Sequence, residues 1–170
     1  MSETLDDDFK KKLEKIKKKL MESEELNVEA SRRYQVANEK LAGWIIEWIE
    51  SQRDKLKEKR KVGLLLSILL RINDLRTQVM MEYLSIREKP LTKLRPLKIL
   101  PMIDATNKMV EAYEQIRTDL ASFFCHEDSK SLNLPLISSG PIDPETKLKQ
   151  LNVCLGQLQG LVLGKLYEFL

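Results

Sequence analysis

Histidine occurs once in these 170 residues, cysteine twice, glycine and proline six times each, and aromatic residues make up only 6% of the chain. Cys125 and Cys154 are too few for the disulfide framework of a secreted domain, and free thiols suit a reducing compartment. The lone His126 has Cys125, Glu127 and Asp128 beside it but no further ligand at CxxC or HxxxH spacing, so it reads as a solvated helix end. An adjacent cysteine and histidine without a pocket do not make a nucleophile pair either. The few glycines form no phosphate-cradling G-x-x-x-x-G-K-[ST] loop, no G-x-G-x-x-G turn and no G-x-S-x-G elbow. Carboxylates are scattered among lysines rather than isolated in apolar surroundings, where a shifted pKa could serve acid or base chemistry. On these grounds the chain is not expected to be an enzyme, and no catalytic, cofactor-binding or metal-ligating residue is assigned.

Long apolar runs are also missing. Arg71 and Asn73 end the first, and Lys165 and Glu168 break the last, so neither approaches the roughly 20 residues of a membrane span. The opening MSETLDDDFKKK lacks the basic and apolar regions of a signal peptide. The expected location is intracellular, cytoplasmic or nuclear. An excess of one charge is absent overall, with 29 Lys/Arg against 26 Asp/Glu. The distribution is uneven, however: residues 51–98 carry 13 basic against 5 acidic side chains, whereas residues 1–50 carry 10 against 12 and residues 99–170 carry 6 against 9.

What the chain does have is 42% hydrophobic and 32% charged residues, with the hydrophobic ones recurring at helical intervals. The fold class expected is all-α: a single domain, 1–170, of four to five helices over 4–22, 27–59, 62–88, 102–125 and 144–170. Residues 62–88 form the central helix, since Leu64, Leu65, Leu66, Ile68, Leu69 and Leu70 are interrupted only by Ser67. A helix apolar on every side has to be surrounded. Its second half narrows to a stripe of Ile72, Leu75, Val79 and Ile86.

The remaining segments are read around that helix. Leu5, Phe9, Leu13, Ile16 and Leu20 make a stripe opposed by Lys10, Lys11, Lys12, Lys15, Lys17, Lys18 and Lys19, a bundle helix with a solvated lysine face. The second pattern runs through Ala30, Tyr34, Ala37, Leu41, Ile45 and Trp48. From Trp48 to Leu65 is about 4.7 helical turns, a quarter turn out of phase, so a break is placed between Lys59 and Gly63, with one continuous helix as the alternative. Pro90, Pro96 and Pro101 exclude a regular helix over 89–101, which reads as a basic strap pinning leucines to the bundle. Met102, Ala105, Met109, Tyr113, Ile116, Leu120 and Phe123 follow at threes and fours. A flexible loop over 126–142, rich in serine, proline and glycine, comes next. Asp143, Pro144 and Glu145 have the order of an N-cap and first turn, opening a helix striped by Leu148, Leu151, Leu155, Leu158, Val162, Leu166 and Phe169.

The function this pattern suggests is that of a non-catalytic helical interaction subunit or adaptor in a larger assembly, binding protein partners as a homo- or hetero-oligomer by helix packing. Trp44 and Trp48, one turn apart, read as core residues on burial frequency, with the alternative that they are exposed anchors for a partner. Gly156, Gly160 and Gly164 form a ridge; each costs about 1 kcal/mol in a helix, which asks for a close backbone approach in return. The alternative is nucleic-acid or acidic-surface binding through Arg53, Lys55, Lys57, Lys59, Arg60 and Lys61 together with Lys93, Arg95 and Lys98, provided both segments share a face. That basic middle lacks interleaved aromatics for base stacking.

Overall fold

A computed structural model describes Lys11 and residues 27–51, 58–88, 95–128, 134–137 and 143–169. Among them are four helices and no strand: α1 (Val28–Ser51), α2 (Lys59–Glu88), α3 (Arg95–Asp128) and α4 (Pro144–Glu168). The helix expected over 4–22 lies outside the described residues. The architecture is an all-α bundle with α2 at its centre, touching each of the other three helices and α4 most extensively.

Side-chain pairs fix the directions. Arg71 of α2 meets Asp119 of α3, Arg76 meets Asn152 and Gln159 of α4, and Asn38 of α1 meets Asn73 and Thr77. Arg60 and Lys61 share a groove with His126, and Arg87 pairs with Glu145, so α2 runs antiparallel to both α3 and α4. The helices α3 and α4 are parallel, with Asn107 beside Lys147 at one end and Phe124 beside Lys165 at the other. Parallel neighbours need a returning connection. Within the 126–142 stretch α3 continues to Asp128, Leu134 is buried, and the Tyr113 hydroxyl donates to the Pro135 carbonyl, tying that segment to the bundle.

The core is the merged stripes: Ile68, Leu69, Ile72 and Val79 from α2, Tyr113, Ile116 and Leu120 from α3, and Leu148, Leu151, Leu155, Leu158 and Val162 from α4. Burying each such aliphatic side chain contributes about 1.5–3 kcal/mol. The start of α4 is set by Asp143, whose carboxylate accepts the Thr146 amide at 3.2 Å and the Thr146 hydroxyl at 2.6 Å.

Two boundaries differ from the sequence reading. The break before α2 falls at Glu58, not within Lys59–Gly63: Glu58 has φ 58°, the left-handed region, and its carbonyl accepts the amides of Lys61 and Val62. That backbone value rules out one continuous helix through this point. Gly63 is an ordinary helical residue, because the change of direction is already complete before it. The helix excluded over 89–101 is present from Arg95 onward and contains Pro101. Pro96 falls in the first turn, where its missing N–H has no intrahelical partner to lose; Pro101 forfeits a single bond to the Leu97 carbonyl, which the packed length of α3 outweighs.

Candidate interaction surface

The Leu64–Leu70 run of α2, apolar except at Ser67, is buried on one side and open on the other. Leu65, Ile68 and Leu69 are buried, whereas Leu64 is 52% exposed and Leu66 and Leu70 are half-buried. Along the same side Arg60, Gly63, Ser67, Asp74, Gln78 and Met81 are all exposed. Their spacing of three, four and seven residues places them on one face at about 100° per residue. Asn73 and Thr77, which hold α1, flank this strip on one side, and Arg71, which holds α3 through Asp119 at 2.7 Å, flanks it on the other. Among the described residues α1 and α3 do not touch, so the strip lies open between them.

Two depressions follow it. A groove of about 730 Å³ between α2 and α3 has buried Ile68 and Phe123 as its apolar floor, with half-exposed Leu64 and the side chains of Arg60, Lys61, Arg71, Asp119 and His126 around its mouth. A shallower one of about 430 Å³ lies over Gly63, Leu66, Ser67, Leu70, Arg71 and Asp74. The mouth is electropositive for two reasons that reinforce each other. The first turn of α2 is Lys59, Arg60 and Lys61 with no acid, and it stands at the positive end of the helix dipole. Glu58 at 3.3 Å from Lys61 and Asp119 on Arg71 answer part of this charge.

The residues singled out in the sequence are described only in part, and those that are described fall on different helices. Trp44 and Trp48 belong to α1, but their side chains lie outside the described residues. Of the α4 glycines, Gly156 and Gly164 have different surroundings. A Cβ on Gly156 would stand 3.3 Å from the Arg76 guanidinium, while one on Gly164 would meet nothing within 4 Å. The close approach that Gly156 permits is to a buried arginine, not to another backbone. Of the basic candidates, Arg53, Lys55, Lys57 and Lys93 lie outside the described residues, Lys59, Arg60 and Lys61 open α2, and Arg95 and Lys98 open α3. Because α2 and α3 are antiparallel, those two groups sit at opposite ends of a 30-residue helix, about 45 Å apart along its axis. They do not form one patch.

Sequence reasoning missed the polar cluster where α1, α2 and α4 meet. Arg76 is only 1% exposed; its Nε donates to Asn152 Oδ1 at 2.9 Å, its Nη1 donates to Gln159 Oε1, and its guanidinium carbon lies 4.0 Å from the centre of the Tyr34 ring. The Gln159 amide donates to the Tyr34 hydroxyl and to Asn73 Oδ1, and Asn38 donates to the Asn73 carbonyl at 2.9 Å and to the Thr77 hydroxyl at 2.8 Å. Burial lowers the pKa of Arg76, with Tyr34 opposing the shift, and burial raises that of Tyr34. A signal for this cluster was present: Arg76 is four residues after Ile72 and three before Val79, and Asn152 and Gln159 interrupt the α4 stripe at the same intervals. A polar residue at a stripe position is either misplaced or buried with partners.

Among the described residues no group of His, Cys, Asp and Glu is arranged to hold a metal ion, and no helix is long and apolar enough to cross a membrane. Cys125 and His126 are exposed at the end of α3, whereas Cys154 is buried near Tyr113, and burial pushes both the Cys154 thiol and the Tyr113 hydroxyl up. Compared with protein-family models, with curated proteins and with solved structures, the chain gives no match in any of the three.

Proposed function

We propose that this protein is a non-catalytic helical interaction subunit or adaptor of a larger intracellular assembly, and that contact is made through the open strip of α2 and its groove with α3. The observation that carries this reading is Leu64, half exposed at the start of the leucine-rich Leu64–Leu70 run and lining a groove floored by Ile68 and Phe123. Single exposed leucines are ordinary, but apolar side chains gathered in a concave site rimmed by charge are what helix-in-groove recognition uses.

A photo-crosslinking residue introduced in cells at Leu64, with one at exposed Gln157 on α4 as the control, tests it. Discrete adducts from Leu64 and none from Gln157 are the expected result. Identical patterns from both positions, or no adduct from either, would remove the assignment.

A second reading keeps a specific observation in its favour. Three consecutive cations at the N-terminus of α2 oppose the helix dipole, each at a cost of about 0.3–1 kcal/mol, and an acidic surface or nucleic acid docked there would offset it. The affinity of the chain for duplex DNA and for RNA, measured against salt, decides this: a log–log slope near zero eliminates the reading.

A further inference from the structure

We infer that the open strip of α2 pairs with a second copy of this chain, antiparallel about a twofold axis at Ser67. The inference rests on the reading of the strip as a contact surface and adds the identity of what covers it. Arg60 and Asp74 stand seven residues to either side of Ser67, on the same exposed face. An antiparallel twofold therefore sets Arg60 against Asp74 of the partner copy, and the same pair recurs on the other side of the axis. Leu64 falls level with Leu70 of the partner copy, one on each edge of the seam, and Ser67 falls opposite its own equivalent. The axis region is built small: Gly63 has nothing within 4 Å of where a Cβ would sit, and Ser67 is exposed one turn later. Small residues one turn apart let two helices approach closely.

Charge selects this occupant over the others. Parallel pairing would set Arg60 on Arg60 and Asp74 on Asp74, two repulsions in place of two attractions. An acidic helix of another protein would suit Arg60 but leave Asp74 facing like charge. The lysine-rich segment 10–19 would bring seven lysines against Arg60, Lys61 and Arg71. Only a surface carrying both signs in this order answers both ends of the strip, and the chain's own α2 carries them.

The test is sedimentation equilibrium of the full chain from micromolar to several hundred micromolar at low salt. A reversible monomer–dimer equilibrium is expected. Asp74→Arg and Arg60→Asp each weaken it about tenfold, since two pairs turn repulsive together, and the double charge swap restores it to within about threefold. All three changes fall on exposed positions, and circular dichroism confirms that the fold is kept. Orientation is read with a short bismaleimide in a Cys125→Ser background. Ser67→Cys cross-links efficiently, whereas Asp74→Cys does not, because antiparallel pairing holds the two Asp74 positions about 20 Å apart.

A chain that stays monomeric throughout, a dimer indifferent to charge reversal, or equal cross-linking at both positions overturns the inference. If the purified chain is monomeric while Leu64 forms adducts of other masses in cells, self-pairing falls and the contact strip survives. If no adduct of any mass forms, both fall.

Discussion

Arg76 gives up its hydration to sit where α1, α2 and α4 meet, and recovers part of it from the amide oxygens of Asn152 and Gln159 and from the face of Tyr34. This asymmetry sets the order of two substitutions. Gln159→Leu leaves the buried cation in place with one fewer acceptor and also strips partners from Tyr34 and Asn73, a loss of about 2–4 kcal/mol. Arg76→Met removes the buried charge together with its desolvation cost and leaves amide oxygens short, about 1–3 kcal/mol. Urea denaturation measures both, and Arg76→Met proving the more damaging would contradict this account of the cluster. At the surface Asp143 presents a simpler case. Thr146 donates to its carboxylate and holds its pKa below the ordinary value. A depressed carboxylate contributes stability that is present above its unfolded pKa, near 4, and is lost as pH falls through the folded value. Asp143→Ala is therefore expected to cost about 1 kcal/mol at neutral pH, with the gap between the two proteins closing below pH 4 in the same denaturation experiment.

Two helices carry local penalties that the bundle outweighs. Glu58 holds a left-handed backbone that costs a residue with a Cβ about 1–2 kcal/mol, and its ion pair with Lys61 is exposed on both sides. Exchanging it for glycine, Glu58→Gly, is expected to raise stability by about 0.5–1 kcal/mol, read as an increased thermal midpoint; a drop would show that the ion pair outweighs the backbone. In α3, Pro101 interrupts the hydrogen-bond ladder at its seventh residue. Pro101→Ala restores the bond to Leu97 and is expected to stabilise by about 1–3 kcal/mol, and hydrogen exchange at residues 97–101 should slow with it. Composition gave the opposite forecast for this segment because proline spacing is a local signal, whereas the long stripe of Tyr113, Ile116, Leu120 and Phe123 that anchors α3 begins several turns later. The central helix is mostly buried, as its pattern requires, but one side of its first apolar run stays open. An all-apolar run such as Leu64–Leu70 has no phase, so the sequence carries no mark of which side goes uncovered.

In the whole molecule, parallel α3 and α4 require the chain to return along the bundle, and Tyr113 fastens that return through the Pro135 carbonyl. Burial raises the pKa of the Tyr113 hydroxyl, so its contribution is full below pH 10 and is lost as pH rises through the folded value. Tyr113→Phe should accordingly show a flatter loss of stability between pH 9 and 11 than the parent chain, together with faster hydrogen exchange at residues 134–137. The same contrast between near and distant causes divides what could be read early from what could not. Helical class, the stripes of α2 to α4 and the Asp143 cap follow from intervals of three and four residues and from end chemistry, which act within a turn or two and are written in order along the chain. The burial of Arg76, the separation of the two basic segments and the open side of α2 depend on which helices arrive as neighbours and in which direction. Those are decided by contacts between residues 35 to 125 positions apart, summed over the assembled core, and no local interval records them.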